Sequence, residues 1–278
     1  MPSDSERLKR EKMKLIDLHT HILPGFDDGP ETAAESIEMA RAYVEAGYAA
    51  VVATPHVIPG VYEHTRTSIL RGVRRLEQHL HDAGIPLSVL PGAEYHLTDR
   101  LVPLLREGEL LTLNDTGKYL LVELPWVDVP PYASQILFEL LLAGVTPVIA
   151  HPERNGFFAG RPKALSELRA RGICAQVTAG ALTGLFGRTQ KRAAEQFIKQ
   201  ETAQFVATDA HGPGRRLEAG AQVQAQASRL LGAAAQALLY ANPALVTSGA
   251  SLEAAACREA APKRSSWFDS IRRKQQKS

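Results

Sequence analysis

The sequence predicts an α/β fold, a parallel (β/α) barrel with seven strands rather than eight. Short apolar runs rich in Val, Ile, Leu and Ala recur along the chain, as is typical of strands buried on both faces of a parallel sheet. Helical patterns separate these runs at intervals of roughly 25–35 residues. Nearly every run ends in a polar residue able to bind a ligand. A barrel brings all strand carboxyl ends to one face, whereas an open sheet spreads them apart, so these endings favour the barrel.

Seven strands and five helices follow from these patterns. The predicted strands are Leu15–Leu18, Ala49–Thr54, Leu87–Leu90, Tyr119–Val122, Val145–Ala150, Ile173–Thr178 and Gln204–Thr208. The predicted helices are Glu31–Ala46, Thr67–Ala83, Tyr132–Ala143, Pro162–Arg171 and Gln190–Gln200. Gly47 follows the first helix, as a C-terminal cap would. Beyond these elements we expect one or two closing helices in Leu217–Tyr240, then a turn and a short ending segment in Pro243–Gly249.

The chain divides into one domain and two charged ends. We expect a charged N-terminal extension over residues 1–14, a single domain over 15–250, and a tail over 251–278 that is basic from 263. The net charge is +2, and the last sixteen residues hold six Lys or Arg against one Asp, which leaves the remainder at −3. A solvated, frayed terminus is the favoured interpretation of the tail. The alternative is weak association with an anionic membrane or an acidic partner.

Composition excludes several classes of protein. An apolar content of 45% and a charged content of 22% argue against a largely disordered chain. The sequence has no run of eighteen apolar residues for a membrane span, and its charged first fourteen residues lack the apolar region of a secretory signal. Cys174 and Cys257 form neither a CxxC pair nor a disulfide framework, so we expect a cytoplasmic protein.

Nine residues with metal-binding side chains fall at or near the predicted strand ends. They are His19, His21, Asp28, His56, Glu94, Glu123, His151, Asp209 and His211. His19-Thr20-His21 is an HxH pair, whose spacing places both imidazoles on one face of a strand, and Asp209-Ala210-His211 has the same spacing. A single histidine after a strand is more often a hydrogen-bonded residue than a ligand, but the joint pattern favours a metal site. Mixed imidazole and carboxylate ligands without thiolates suit Mn, Fe or Zn.

The number of candidate ligands indicates two or three ions, because each ion takes about four. Three divalent ions against four carboxylates would leave about +2, which suits a phosphoryl group. Arg154 in HPER and one of the pair Arg215 and Arg216 are candidate phosphate ligands. The alternatives are a salt bridge at the rim for Arg154 and simple solvation for the pair. The remaining histidines, His64, His79, His81 and His96, fall in predicted helical or loop segments and are expected to be surface or structural residues.

Six motifs together resemble a known family. KLIDLHTHILPGFDDGP, VVATPHVIPGVY, LPGAEYHL, YLLVELPW, VIAHPERN and FVATDAHGPGRR occur in this order. They are similar to those of the polymerase-and-histidinol-phosphatase (PHP) superfamily, and within it to the manganese-dependent protein-tyrosine phosphatases of capsule and exopolysaccharide clusters. The resemblance extends from Lys14 to Gly249 and implies a distorted seven-stranded, TIM-like barrel with a three-metal centre. Two features depart from the family: the first fourteen residues are additional, and Gly212-Pro213-Gly214 stands where Asn is common.

The resemblance also implies roles for the candidate residues. It places His19, His21, Asp209 and Glu94 on a first ion, Glu94, Glu123 and His151 on a second, and Asp28, His56 and His211 on a third. Arg154 and Arg216 would bind the phosphate and, with Asp209, would be the catalytic residues. The expected cofactor is Mn²⁺, two or three ions per chain, with Fe or Zn as alternatives.

The expected reaction is hydrolysis of phosphotyrosine by attack of a metal-bound hydroxide. The expected partner is a phosphotyrosine protein, a membrane-associated bacterial tyrosine kinase, and the oligomeric state is left open. A cysteinyl-phosphate route is not expected, since it needs Arg six residues after Cys, whereas Gly180 follows Cys174 and Lys263 follows Cys257 at that offset.

Three alternatives to this function remain at this point. The first is a phosphatase for a small molecule such as histidinol phosphate, which would use the same site. The second is a nuclease or proofreading module, and the net charge of −3 outside the tail argues against it and against a nucleic-acid partner. The third is a non-enzymatic partner of a kinase, which the complete set of candidate ligands disfavours.

Overall fold

The structure, a computed structural model, describes residues 14–126 and 129–252. Within these residues, strands alternate with helices, and every pairing between strands is parallel. The predicted α/β class with a parallel sheet is therefore confirmed. Most of the expected N-terminal extension and the tail from residue 253 lie outside the described residues, as does Cys257.

Nine strands of the described residues form two sheets. They are β1 Leu15–Thr20, β2 Tyr48–Ala53, β3 His56–Val57, β4 Ser88–Pro91, β5 Glu94–His96, β6 Tyr119–Glu123, β7 Thr146–Ala150, β8 Cys174–Thr178 and β9 Phe205–Ala207. The first sheet has the order β1-β2-β4 and the second the order β3-β5-β6-β7-β8-β9. The two short strands β3 and β5 begin three residues after β2 and β4 end, so nine strands correspond to seven passes of the chain, which is the predicted number.

The interruptions of β2 and β4 have local causes. Pro55 stands between β2 and β3 and has no N–H to donate to a neighbouring strand. Gly92 stands between β4 and β5, where a Cβ atom would lie 2.7 Å from Val52 Cγ1. Because Gly92 has no side chain, the chain at the end of β4 can lie close to its neighbour β2. Beyond the interruptions, β3 pairs with β5, so that His56 lies beside Glu94 in register.

Strands β1 and β9 meet at the far edges of the two sheets. Asp209 N donates to His19 O at 3.0 Å, and His21 N donates to Ala210 O at 2.8 Å. Thr208 N also donates to a carboxylate oxygen of the buried Asp17 at 3.1 Å. This β1–β9 junction brings the first and last strands side by side, which is compatible with a closed, distorted barrel.

Helices cover the outside of the strands. They are α1 Ala33–Glu45, α2 Arg66–Asp82, α3 Leu101–Arg106, α4 Ala133–Leu142, α5 Gly156–Gly160, α6 Pro162–Arg169, α7 Ala179–Thr183, α8 Arg188–Lys199, α9 Arg215–Ala225, α10 Ala227–Leu231 and α11 Asn242–Thr247. Capping boxes begin α1 at Thr32 and α2 at Thr65, which satisfies N–H groups that have no partner within the helix. The predicted helices and strands agree with these bounds to within a few residues.

The strands are buried on both faces. One hydrophobic cluster takes Leu18, Val52, Leu121, Val148 and Phe205 from five different strands. A second and larger cluster joins the alternate strand residues to the buried faces of the helices. This two-sided burial explains why the strands are nearly continuous apolar runs rather than alternating ones.

The segment after residue 214 contains the expected closing helices but departs from expectation near its end. The predicted turn in Pro243–Gly249 is wrong, because the helix α11 covers Asn242–Thr247 with a proline in its first turn, where no N–H is needed. The closing region Leu217–Tyr240 is divided into α9, α10, a short 3₁₀ turn and the π-helical Ala237–Ala241. No single helix in the described ranges meets the length and hydropathy of a membrane span, although Ala227–Ala234 and Ala237–Thr247, bent by 87°, do so as a pair.

Candidate metal centre

The nine predicted ligand residues converge at the carboxyl ends of the strands. All of them belong to at least one group of three or four side chains whose ligand atoms lie within 4.8 Å of one another. The groups are His21, Asp28, His56 and His211; His19, His21 and Glu94; His19, His151 and Asp209; and His56, Glu94 and Glu123. The structure thus brings together residues that are up to 192 positions apart in the sequence.

Glu94 lies at the middle of the cluster. Its Oε2 atom is 3.2 Å from His19 Nε2, 3.5 Å from His21 Nε2 and 2.9 Å from His56 Nδ1. Its Oε1 atom is 3.1 Å from His151 Nε2. A carboxylate with imidazoles around both oxygens could hold two ions, which is the role that the family resemblance implies for this residue.

The grouping differs in part from the one that the resemblance implies. The group around Asp28, His56 and His211 is as expected, with His21 added. His211 Nε2 lies 3.2 Å from Asp28 Oδ1, and the His21 and His211 rings stack with centroids 3.9 Å apart. His151 groups with His19 and Asp209, and its Nε2 atom also lies 3.1 Å from Glu94 Oε1 and 3.8 Å from Glu123 Oε1, the two residues with which the resemblance places it.

Among the residues that the structure describes, three buried atoms of this region lack a hydrogen-bond partner: Glu94 Oε2, His56 Nδ1 and His96 Nδ1. Glu94 Oε2 and His56 Nδ1 are close to each other, but without the angles of a hydrogen bond. Each buried polar atom without a partner costs about 1–3 kcal/mol. Cations between these atoms would remove that cost.

His96 is nearer to the cluster than its sequence position suggested. It ends the strand β5, and its Nδ1 atom lies 3.7 Å from Glu123 Oε2. The expectation that it belongs to a helical or loop segment is therefore wrong. Sequence reasoning missed it because β5 has only three residues, too few for a strand pattern to be recognised.

Protons are shared unequally within the cluster. Burial opposes the ionisation of Glu94, but the adjacent His19 and His151 outweigh it and hold the pKa of the carboxyl well below its usual range. Burial also disfavours a charged His21, but hydrogen bonds to Asp209 and Asp27 raise its pKa well above the ordinary value. Glu94 is thus ionised and His21 retains its proton, which a binding cation must displace.

Two side chains outside the predicted set orient the HxH imidazoles. Asp27 Oδ2 lies 2.6 Å from His21 Nδ1, and Gln176 Oε1 lies 2.9 Å from His19 Nδ1. Asp27 also accepts hydrogen bonds from His56 N at 2.9 Å and Gly29 N at 3.0 Å. These contacts turn the Nε2 atoms toward the centre. In the sequence Asp27 stands directly before Asp28, but only Asp28 was chosen as a candidate ligand. The adjacent pair of carboxylates was the feature that could have pointed to Asp27.

Two arginines reach the cluster through Asp209. Arg154 Nη1 donates to Asp209 Oδ2 at 2.6 Å, and Arg216 Nη1 donates to the same atom at 2.9 Å. Burial opposes the ionisation of Asp209, but His19 and His21 outweigh it and lower the pKa of the carboxyl. Asp209 is therefore an acceptor for both guanidinium groups. Arg215 is exposed, so Arg216 is the member of the pair that faces the site.

Aromatic rings contact these arginines. The Arg154 guanidinium carbon lies 4.2 Å from the ring centroid of Trp126 and 4.9 Å from that of Phe186. Arg216 lies 5.7 Å from the Phe186 ring. Neither ring was among the sequence candidates, because nothing in the spacing of Trp126 and Phe186 relates them to HPER.

Comparison with known proteins gives a consistent set of relatives. The family model of capsular polysaccharide synthesis, CpsB/CapC, matches residues 15–248. The tyrosine-protein phosphatase YwqE of Bacillus subtilis (strain 168) is 43% identical over 197 residues, which cover 71% of this chain and 77% of that protein. The putative tyrosine-protein phosphatase CapC of Staphylococcus aureus is 32% identical over 197 residues, with coverages of 71% and 77%.

Solved structures agree with these relatives. A structure described with YwqE from Bacillus subtilis and CpsB from Streptococcus pneumoniae, "unique metal-dependent tyrosine phosphatases", has a TM-score of 0.80 and 36% identity. The match covers 86% of this chain and 96% of that one. Histidinol phosphate phosphatase from Lactococcus lactis has a TM-score of 0.50 at 12% identity, with coverages of 76% and 92%, and shares the fold alone.

Proposed function

We propose, because this chain belongs to the CpsB/CapC family of capsular polysaccharide synthesis, that it is a metal-dependent protein-tyrosine phosphatase. The observation that carries the proposal is the joint placement of nine metal-binding side chains and two arginines at one face of the fold. Relatives named as tyrosine phosphatases, and a similar structure described as metal-dependent, support the same activity.

The donor set fits divalent cations. Five imidazoles and four carboxylates supply ligands of intermediate hardness. Glu94 Oε2 and His56 Nδ1 have no hydrogen-bond partner among the described residues, so both atoms are free to bind a cation. The proposed ligands are the nine residues expected from the sequence: His19, His21, Asp28, His56, Glu94, Glu123, His151, Asp209 and His211. We propose Mn²⁺, two or three ions per chain, as the cofactor.

The bound cations would neutralise phosphoryl oxygens and lower the pKa of water enough for it to act as nucleophile at neutral pH. The chain itself supplies the rest. Arg154 and Arg216 offer N–H donors to the oxygens of the phosphoryl group, and Asp209 holds both guanidinium groups at the site. In the transition state negative charge is spread over these equatorial oxygens, where fixed donors stabilise it, and the electron pair of the breaking P–O bond leaves on the phenolate oxygen.

A phenolate leaving group suits this arrangement. Its parent pKa of about 10 is low enough that departure needs less protonation than an alkoxide does. Asp209 is ionised between its two arginines, so we assign it to positioning them rather than to donating a proton. The substrate is a phosphotyrosine protein, and we propose a membrane-associated tyrosine kinase of capsule or exopolysaccharide synthesis. Its phosphorylated residues would meet the enzyme in the cytoplasm, where the unpaired thiol of Cys174 stays reduced.

The test measures metal content and activity on the same sample. Purified full-length protein is assayed for ions per chain and for phosphate release from a phosphotyrosine peptide, with Mn²⁺ and after chelation. We expect two or three ions, turnover that chelation abolishes, and recovery when Mn²⁺ is added. Full activity of metal-stripped protein, or faster turnover of histidinol phosphate than of the peptide, would refute the proposal.

A further inference from the structure

Trp126 occupies an unusual position at the rim of the centre. It follows the strand β6 by three residues, and its side chain is 52% exposed. A backbone hydrogen bond ties it to the start of α5, because Gly156 N donates to Trp126 O at 3.0 Å. A large indole that is held in place yet open to solvent is available to a ligand.

The covered part of the indole faces the proposed machinery. Its centroid is 4.2 Å from the guanidinium carbon of Arg154 and 6.1 Å from the ring centroid of His151. Arg154 is only slightly exposed and is anchored on Asp209. The contact with the guanidinium is a cation–π interaction, which is strengthened by the low exposure of the cation. The indole is therefore held beside the position at which Arg154 would meet a phosphoryl group.

The geometry of an aryl phosphate makes this position informative. A phenyl ring is bonded to the phosphate through one oxygen, so a phosphoryl group held by Arg154 places the ring within reach of its neighbours. Aromatic pairs interact in offset or edge-to-face arrangements with centroids 4.5–7 Å apart. A saturated alkyl ester at the same site has no ring to pair with the indole.

We propose that Trp126 is a specificity-determining residue, whose exposed indole packs against the phenyl ring of phosphotyrosine and favours aryl over alkyl phosphate monoesters. This inference rests on the proposed phosphatase function and adds the residue that selects the substrate class. It concerns the organic group of the ester, whereas the ligand cluster and the arginines act on the phosphate.

The test measures binding of two phosphonates that are not hydrolysed, benzylphosphonate and methylphosphonate. Both are titrated by calorimetry into the full-length, Mn²⁺-loaded protein and into Trp126→Leu. We expect the dissociation constant of benzylphosphonate to rise about three- to tenfold and that of methylphosphonate to stay unchanged. Trp126→Phe, which keeps a ring, should recover part of the preference.

Phe138→Leu is the matched control. Phe138 is similarly exposed, at 47%, but lies on helix α4, and its loss should leave both dissociation constants unchanged. An unchanged benzyl-to-methyl ratio in Trp126→Leu would overturn the inference, whether both ligands weaken or neither does. A weakening of both would mean that the indole acts only by supporting Arg154.

The proposed function has a separate readout. If wild-type protein fails to release phosphate from a phosphotyrosine peptide, that function is wrong whatever the phosphonates show. If the peptide is hydrolysed and the ratio does not respond to Trp126→Leu, the function stands and the specificity role is wrong.

Discussion

Asp27→Asn tests whether the orientation of His21 controls metal binding. In the native protein Oδ2 serves two donors, the ring of His21 at 2.6 Å and His56 N at 2.9 Å, and Oδ1 accepts from Gly29 N at 3.0 Å. Burial opposes ionisation of Asp27, but the contact with His21 outweighs it and lowers the pKa of the carboxyl. Asparagine has the same shape but only one acceptor oxygen. In either amide orientation, at least one of these donors faces an NH₂ group.

The size of the effect follows from the place of His21 in the cluster. It belongs to two of the four groups, those with Glu94 and with Asp28. Loss of a carboxylate that orients a metal-binding histidine costs 10–100-fold in metal affinity. We therefore expect Asp27→Asn to bind Mn²⁺ about 10–100-fold more weakly, which is about 1.4–2.7 kcal/mol of binding free energy.

The assay is a calorimetric titration of metal-stripped protein with Mn²⁺, with folding checked by circular dichroism. Asp115→Asn is the matched control, because Asp115 pairs with Arg66 at the surface and belongs to none of the four groups. Unchanged affinity in folded Asp27→Asn would refute the reasoning. An equal loss of Mn²⁺ affinity in Asp115→Asn would also refute it, because the loss of any carboxylate charge would then be enough to weaken binding.

Four further substitutions, in three experiments, test separate features of the molecule. Arg154→Ala should retain its metals and lose roughly 10²–10³-fold in kcat, the cost of one preorganised donor; loss of metals from this variant would contradict a phosphate-binding role. Cys174→Ser and Cys257→Ser should stay within a few-fold of wild-type turnover. Burial raises the pKa of the Cys174 thiol to about 11, so in a Cys257→Ser background a thiol reagent at pH 8 should modify it only after unfolding. In Gly72→Ala the new Cβ would lie 2.6 Å from the Phe26 ring, and denaturant unfolding should show a loss of about 1–3 kcal/mol; unchanged stability would mean that the ring moves freely.

The order of elements could be predicted from the sequence because both faces of the strands are buried. Continuous apolar runs mark such strands, and β6, β7 and β8 begin within a residue of their predicted starts. The two-residue β3 and the three-residue β5 could not be predicted, because so few residues show no hydrophobic periodicity. The helix at Asn242–Thr247 was missed because Pro243 suggested a turn, whereas a proline in the first turn of a helix is tolerated.

The candidate ligands could be predicted from the sequence for a different reason. A polar residue at the end of an apolar run stands out, and parallel strands bring such residues to one edge. The residues that act on the ligands did not stand out. Gln176 lies within a buried strand and contacts His19, which is 157 positions away in the sequence. Trp126 meets Arg154 only in the folded chain, so no local spacing relates them.

The β1–β9 junction has a consequence for how the protein folds. Its hydrogen bonds, such as Thr20 Oγ1 to Ala210 O at 3.1 Å, join residues 190 positions apart. Closing a loop of that length costs about 5 kcal/mol of chain entropy plus a constant, so this contact raises the contact order and is expected to form late. His19 and Asp209 stand on opposite sides of the junction and become neighbours only once it has formed. Cations that need both will bind the closed chain alone, and amide hydrogen exchange at His21 and Asp209 should slow when Mn²⁺ is added.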